Sequence, residues 1–310
     1  MKQKYFYHEH LADYALMKAK GMMSRDELYG GLDFNEFSSK SFLTETLPRL
    51  NVKAGARVLE LGCGTGPASC FLAELGYRVH GIDVIPDAID QAREIAAERG
   101  LDIRYAVMDV CHLPHEGKPY ELIIDGYCSQ GIVTDQDRAA MFAGVKARLA
   151  SHGYLLMSCS VFEQHRETPA TQVVDGVTGK VFTAFDGNDL WDGDTETCYN
   201  RFYVDPLRPD AGPEDYEGTI LVNGVWYIHR RRYRTPESLR TELESHGFTV
   251  LEQNGEVIEN AICTHQGVNL PLKNITEAAE IMREIGVEPH IGAMVTSHTQ
   301  RFAKGPAQTG

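Results

Sequence analysis

Three glycines at alternate positions, Gly62, Gly64 and Gly66, follow an apolar run that ends in an acid, Glu60. A helix-like run, residues 67–75, begins directly after the last glycine. This order predicts a strand, a tight turn and a helix N-terminus, where backbone N–H groups and the helix dipole can approach a ligand closely. The spacing therefore predicts a ligand-binding loop.

The glycine spacing does not fit the dinucleotide-binding fingerprint. That pattern needs a third glycine three residues after the second, and Pro67 holds that place. An acid two residues before the first glycine is also not part of the fingerprint. The glycine loop therefore does not predict a dinucleotide-binding site.

Acidic residues end three further strand-like segments. Asp83 lies 19 residues after Gly64, near the spacing of the ribose-binding acid in nucleotide-binding folds of this general kind. A carboxylate at this position can accept hydrogen bonds from both ribose hydroxyls. Asp109 and Asp125 follow at the ends of the next two apolar runs. If the strands are parallel, these acids share the edge of the sheet at which ligands bind.

The segments, taken in this order, resemble the motifs of class I S-adenosylmethionine-dependent methyltransferases. The run Glu-x-Gly-x-Gly-x-Gly resembles the first motif, and residues 120–128 resemble the fourth, which runs beneath the methionine part of the cofactor. Residues 151–158 resemble the turn and strand that follow. The resemblance covers roughly residues 54–160 and returns more weakly over 233–263.

The resemblance implies S-adenosyl-L-methionine as the cofactor, with Asp83 at the ribose and Asp109 at the exocyclic amine of adenine. For Asp125, a contact near the cofactor and a purely structural hydrogen bond are equally expected. The cofactor-binding residues predicted in this way are Glu60, Gly62, Cys63, Gly64, Gly66, Asp83, Val84, Asp109, Val110 and Asp125.

The fold class expected is α/β. From residue 57 the chain alternates strand-like and helix-like segments, which predicts a parallel sheet covered by helices on both faces. The resemblance implies a Rossmann-like, doubly wound, mostly parallel seven-stranded sheet whose last strand is antiparallel. The predicted parts are an N-terminal helical lid (residues 1–50), a methyltransferase core (51–161 and 235–267), an inserted β-rich substrate cap (162–234), and a C-terminal helix and tail (268–310).

The formal net charge of −14 bears on partners. Such a surface repels phosphate backbones and anionic membranes, so we expect neither nucleic acid nor membrane as a partner. The basic run at residues 229–232 would split over both faces of a strand, which weakens it as a nucleic-acid groove. A small-molecule substrate is expected instead, and a homodimer is an assembly that the sequence allows.

The seven cysteines are scattered and include no Cys-x-x-Cys pair. This pattern predicts reduced thiols, a cytoplasmic location and no metal site. No apolar run approaches the ~20 residues that span a bilayer, and no apolar segment follows the N-terminus as it would in a secretory signal.

The residues on the acceptor side are harder to predict, because methyl transfer is an in-line displacement that needs alignment rather than a fixed set of catalytic groups. Tyr127 follows the fourth strand at the ligand edge, and an ordinary core aromatic is the alternative. Tyr227 and His229 lie in the cap, where His229 is either a general base or a structural histidine. Tyr5, Tyr7 and Tyr14 either cover the cofactor as part of a lid or simply pack.

The sequence predicts an S-adenosylmethionine-dependent methyltransferase that acts on a nitrogen, oxygen or sulfur atom of a small polar metabolite. An amine or amino-acid-like acceptor is favoured, because the acidic net charge would attract a cation, as would the cap acids Asp189, Asp192, Asp194 and Glu196. The alternatives are a different enzyme, or a non-catalytic S-adenosylmethionine-binding protein, on the same fold.

Overall fold

The computed structural model describes residues 2–161, 171–185, 189–205, 208–255 and 258–273. A helix predicted at 276–285 and a tail predicted as disordered at 304–310 lie outside these residues. The helices are α1 (Tyr5–Lys20), α2 (Arg25–Gly30), α3 (Lys40–Thr46), α4 (Pro67–Glu74), α5 (Pro86–Glu98), α6 (Asp135–Arg148) and α7 (Pro236–Ser245). The strands are β1 (Arg57–Leu61), β2 (Arg78–Asp83), β3 (Arg104–Val107), β4 (Tyr120–Gly126), β5 (Leu149–Ser160), β6 (Thr171–Val174), β7 (Val181–Phe185), β8 (Asp189–Asp192), β9 (Thr197–Arg201), β10 (Thr219–Val222), β11 (Val225–Arg232), β12 (Phe248–Asn254) and β13 (Ile258–His265).

A seven-stranded sheet in the order β12-β13-β5-β4-β1-β2-β3 forms the centre of the chain. Strand β13 pairs antiparallel with both of its neighbours, whereas β1 to β5 pair in parallel. The central strand β4 is apolar on both faces because helices cover both: Ile123 belongs to one buried cluster, and Leu122 and Ile124 belong to the other. The predicted α/β class and sheet are confirmed.

Apolar residues at helical spacings predict N-terminal helices within residues 17–23 and 35–50. Helix α3 lies within the second range, whereas helix α1 begins at Tyr5, well before the first. One face of α1 carries Tyr14 and Met17 against the loop that follows β2, while Tyr5 belongs to the main core cluster. Because α1 is covered on more than one side, it lacks the single apolar stripe that would have marked it in the sequence.

The region between β5 and α7 forms a second, antiparallel sheet in the order β10-β11-β9-β8-β7-β6, here called the cap. Its β10–β11 hairpin turns at Asn223 and Gly224, both with positive φ, as the Asn-Gly pair predicted. The Asn223 side chain accepts a hydrogen bond from Gly176 N and donates one to Val174 O, so the first and last hairpins of the cap touch and the sheet curls. Within the described ranges, no helix is both long enough and apolar enough to cross a membrane.

Candidate cofactor and acceptor site

The carboxyl ends of β1 and β2 form one side of the site. Asp83, the last residue of β2, is only 7% exposed. One of its carboxylate oxygens accepts from Gly64 N at 2.9 Å, and the other accepts from Ile85 N at 2.9 Å. Each carboxylate oxygen can accept a second hydrogen bond, so Asp83 keeps capacity for two ligand hydroxyls while the backbone fixes its direction.

The glycine loop owes its shape to positive backbone angles and close neighbours. Gly62, Gly64 and Gly66 have φ of 59°, 55° and 84°, which favours glycine at all three positions. A Cβ on Gly62 would come within 2.7 Å of Cys128 Sγ, and one on Gly64 within 2.7 Å of the Tyr14 hydroxyl. Side chains at Gly62 and Gly64 would therefore clash with these neighbours, so the loop can adopt this shape only with glycine at both positions.

Glu60 lies beneath the loop rather than at its open edge. Its carboxylate accepts a short hydrogen bond from Ser69 Oγ on α4, and the residue is 5% exposed. Burial raises the pKa of Glu60 to about 8, and the Ser69 hydrogen bond only partly opposes this shift. This placement suits support of the turn, and direct contact with the cofactor stays a prediction.

The raised pKa of Glu60 predicts a pH-dependent stability. The folded protein retains this proton up to about pH 8, whereas the unfolded chain releases it near its ordinary pKa of 4.5. Stability from this group is therefore fully present below pH 4.5 and lost as the pH rises towards 8. The variant Glu60→Gln keeps an acceptor for Ser69 and cannot ionise, so we expect a smaller fall in unfolding free energy between pH 5 and pH 8. Urea unfolding of both proteins at several pH values measures this; parallel pH curves would contradict the assignment.

Asp109 and Val110 stand where β3 gives way to a short 3₁₀ turn, Val110–His112. The Asp109 carboxylate caps that turn by accepting from Cys111 N at 2.8 Å, and it also lies 2.9 Å from His112 Nδ1. Val110 is buried beside it, while Val84 packs at the end of β2. The three residues thus flank one edge of the sheet, and their contacts with the adenine ring stay predictions.

Asp125 holds the backbone after β4. It accepts from Cys128 N at 2.8 Å and from Ser129 N at 3.1 Å, and it is 2% exposed. Burial raises its pKa, although these hydrogen bonds act in the opposite direction. Of the two readings from the sequence, this geometry favours the structural hydrogen bond.

Tyr127 combines a left-handed backbone conformation with a buried hydroxyl that lacks a partner in the described ranges. Its φ is 69°, a left-handed value that is rare for an aromatic residue and is often found at functional sites. Its amide donates to Ser158 O at 2.8 Å, whereas its buried hydroxyl has no hydrogen-bond partner within the described ranges. Because Cys128, its neighbour, lies against Gly62, Tyr127 stands next to the glycine loop. It remains the best-placed acceptor-side candidate.

Comparison with known proteins supports the motif assignment. Residues 58–153 match the family model described as "Methyltransferase domain". The CcbJ methyltransferase from Streptomyces caelestis is similar in structure, with a TM-score of 0.56, 15% identity and coverage of 79% of this chain and 97% of that one. Residues 58–153 thus carry the sequence pattern of the methyltransferase domain family, and the sheet that contains them has the Rossmann-like methyltransferase fold.

Sequence relatives of this methyltransferase domain match over shorter stretches. Methyltransferase GfsG of Streptomyces halstedii is 30% identical over 138 residues, which is 43% of this chain and 49% of the relative. The 23S rRNA (uracil(1939)-C(5))-methyltransferase RlmD of Shewanella sediminis is 39% identical over 71 residues, 23% of this chain and 16% of the relative. The chain therefore spans half or less of the length of these relatives.

The fold brings the methyltransferase cofactor edge and the cap together, but it does not bring all the predicted acceptor residues to that edge. Tyr227 packs in the cap's own cluster with Phe182, Leu190 and Tyr199. This packing gives Tyr227 a structural role, and no contact in the described ranges places its hydroxyl at the cofactor edge.

His229 lies between the cap and α1. Its Nε2 is 3.1 Å from the Tyr199 hydroxyl, and its ring packs edge-on against Tyr5. Burial, assisted by the charge of Arg232, lowers the pKa of His229 to about 4. Because a general base works best with a pKa near the working pH, the structure argues against His229 in that role.

The acids of the cap are mostly neutralised by neighbouring cations. Asp192 pairs with Lys180 at 2.5 Å, and Glu196 pairs with Arg234 at 2.7 Å. Asp189 likewise has a cation, Arg230, at 3.4 Å. Asp189, Asp192 and Glu196 therefore no longer support a cationic acceptor, whereas Asp194 is exposed, and the amine-like acceptor stays a prediction.

A buried ion pair that the sequence analysis missed holds the segment that follows Tyr127. Arg138 on α6 forms two 2.6 Å hydrogen bonds with Glu242 on α7. The same guanidinium donates to Ser129 O at 2.6 Å and Ile132 O at 2.7 Å, and so it holds the segment after Tyr127. Arg138 and Glu242 are 104 positions apart in the chain, so no local sequence signal predicts that they pair.

Proposed function

We propose that this protein transfers a methyl group from S-adenosyl-L-methionine to a nitrogen, oxygen or sulfur atom of a small polar metabolite. The observation that carries the proposal is the glycine loop whose Gly64 amide directs the Asp83 carboxylate. Bound S-adenosylmethionine supplies an electrophilic methyl carbon on its sulfonium. The chain itself needs only to bind the cofactor, align the acceptor and exclude water.

The residues divide this work between them. Asp83 and the loop hold the cofactor, while Glu60 and Asp125 stabilise the loop and the turn beside it. Tyr127 supplies a hydroxyl that can donate to or accept from the acceptor, since nothing in the described ranges occupies it. The cap, which reaches the turn after β4, closes the acceptor side.

The acceptor is proposed to be a small molecule rather than nucleic acid or a membrane component. The net charge of −14 disfavours polyanions, and the similarity to an rRNA methyltransferase is confined to 23% of this chain. The preference for an amine now rests on the net charge of −14 and the exposed Asp194, because the other cap acids named above are paired. A homodimer is retained as a proposal.

The experiment that tests this function uses S-adenosylmethionine with a labelled methyl group. Incubated with a fractionated metabolite extract, the protein should transfer the label to a small molecule, which mass spectrometry then identifies. The variant Tyr127→Phe should lower this turnover while binding the cofactor like the parent. If the label stays in the cofactor, the non-catalytic alternative is favoured. If the cofactor is consumed but yields a product other than a methylated metabolite, a non-methyltransferase enzyme on the same fold is favoured.

Removal of metals should leave this activity unchanged. The described residues contain no group of three or more His, Cys, Asp or Glu side chains that could hold a metal ion. Turnover measured with and without EDTA checks this expectation. A loss with EDTA that added magnesium or zinc restores would reveal a metal site and would contradict the proposed metal-independent reaction.

A further inference from the structure

Helix α1 is anchored at both ends, so it lies in a fixed place across the cofactor edge. Before its first turn, Gln3 pairs through its backbone with residues 215–217 of the cap. After its last turn, Met22 O accepts from Gln91 at 2.9 Å and Met23 O accepts from Thr65 at 2.5 Å. Thr65 belongs to the glycine loop itself, so the end of α1 is tied directly to the loop.

Two tyrosines, Tyr7 and Tyr14, lie two helical turns apart on the side of α1 that faces this edge. Tyr14 packs with Ile85 and Ala88, which follow β2 directly. Its hydroxyl lies so close to Gly64 that a Cβ there would be 2.7 Å away. Tyr7 lies within electrostatic reach of Asp109 and Asp83, which raise its pKa further after burial has done so.

The Tyr14 hydroxyl is not used by the protein. The residue is 5% exposed, yet its hydroxyl has no hydrogen-bond partner among residues 2–161 or the other described ranges. A hydroxyl that no protein group occupies at this edge is available for a hydrogen bond with a bound ligand. Burial raises the pKa of Tyr14 well above 10, so the hydroxyl stays protonated and can donate to an oxygen atom.

We infer that Tyr14 is a cofactor-binding residue whose hydroxyl donates a hydrogen bond to an oxygen of S-adenosylmethionine at Gly64. The inference rests on the proposed function, because it takes the cofactor as given. The oxygen belongs either to the ribose, beside Asp83, or to the carboxylate of the methionine part. The ribose and the carboxylate both offer an oxygen that can accept this hydrogen bond, and both belong to S-adenosylmethionine.

Calorimetric titration of S-adenosylhomocysteine into the parent and into Tyr14→Phe tests the inference without requiring turnover. Loss of one hydrogen bond should weaken binding about 2- to 12-fold for a ribose oxygen, and about 12- to 150-fold for the charged carboxylate. Tyr77→Phe is the matched control, because Tyr77 is also partly buried and precedes β2 at the opposite edge of the sheet. It should bind like the parent. Equal affinity in Tyr14→Phe and the parent would overturn the inference, whereas no binding in the parent would instead remove the proposed function.

A second ligand separates the two sources of the oxygen. 5′-Methylthioadenosine keeps the ribose and lacks the amino-acid part. If Tyr14 donates to the ribose, Tyr14→Phe weakens both ligands by a similar factor. If it donates to the carboxylate, only S-adenosylhomocysteine binds more weakly. An unchanged affinity for both ligands contradicts the inference.

A double-variant cycle tests the position of the hydroxyl independently. In the parent, Gly64→Ala places a methyl group against the Tyr14 hydroxyl and should weaken binding strongly. In the Tyr14→Phe background the contact atom is gone, so the same substitution should weaken binding by a smaller factor. An equal factor in both backgrounds would show that the hydroxyl does not lie at Gly64.

Discussion

Replacement of Asp83 by alanine should weaken S-adenosylhomocysteine binding by about 100-fold or more. Two hydrogen bonds from the ribose to a charged acceptor are lost, each worth ~1.5–3 kcal/mol. The amides of Gly64 and Ile85 also lose their acceptor, which loosens the loop. Calorimetry with the purified variant measures the effect.

Asp90→Ala is the matched control for this result. Asp90 lies on α5, a few residues beyond Asp83, but its side chain is 67% exposed and pairs with Arg93 on its own helix. We expect parental affinity in Asp90→Ala. A folded Asp83→Ala protein with parental affinity would remove the ribose assignment.

Replacement of Arg138 by methionine should lower the free energy of unfolding by about 3–5 kcal/mol, because it leaves the Glu242 carboxylate buried without its closest cation. Arg138 is 2% exposed, and Arg234 still reaches Glu242 at 2.9 Å. The carbonyls of Ser129 and Ile132 lose their donor as well, so we also expect weaker acceptor binding. Urea unfolding provides the measurement.

Arg240→Met tests whether burial, rather than the loss of any ion pair, causes this effect. Arg240 faces Glu244 at 3.3 Å on the exposed side of α7, with side chains about half exposed. Exposed pairs of this kind contribute ~0.3–0.5 kcal/mol. Similar losses in Arg138→Met and Arg240→Met would contradict the account of the buried pair.

The sequence predicted the cofactor side of the site well because its signals are local. Alternating glycines demand positive φ within one turn, and Asp83 ends a strand only a few residues long. In a parallel sheet such strand ends must meet at one edge whatever the rest of the chain does. The N-cap of α7 at Thr235 is an equally local signal, because its side chain accepts from Ser238 N within the first turn.

The acceptor side could not be predicted because it depends on contacts between distant segments. Strand β11 is buried on both faces: Tyr227 faces the cap's interior, whereas Ile228 joins the main core. The alternation of apolar and polar residues along β11 therefore could not show which face of the strand meets the acceptor site. The register shift between His229 and Arg231 disturbs this alternation further. The same holds for the cations that neutralise the cap acids: Lys180 directly precedes β7, Arg230 lies on β11, and Arg234 follows β11.

The most direct test of the central claim is calorimetric titration of S-adenosylhomocysteine into the unmodified protein. The account predicts saturable binding of one ligand per chain, because the glycine loop, the directed Asp83 carboxylate and α1 together form one cofactor site. At ligand concentrations near 1 mM, even a weak site with about −4 kcal/mol of binding free energy is half filled. The absence of binding by the folded protein at that concentration would contradict the central claim.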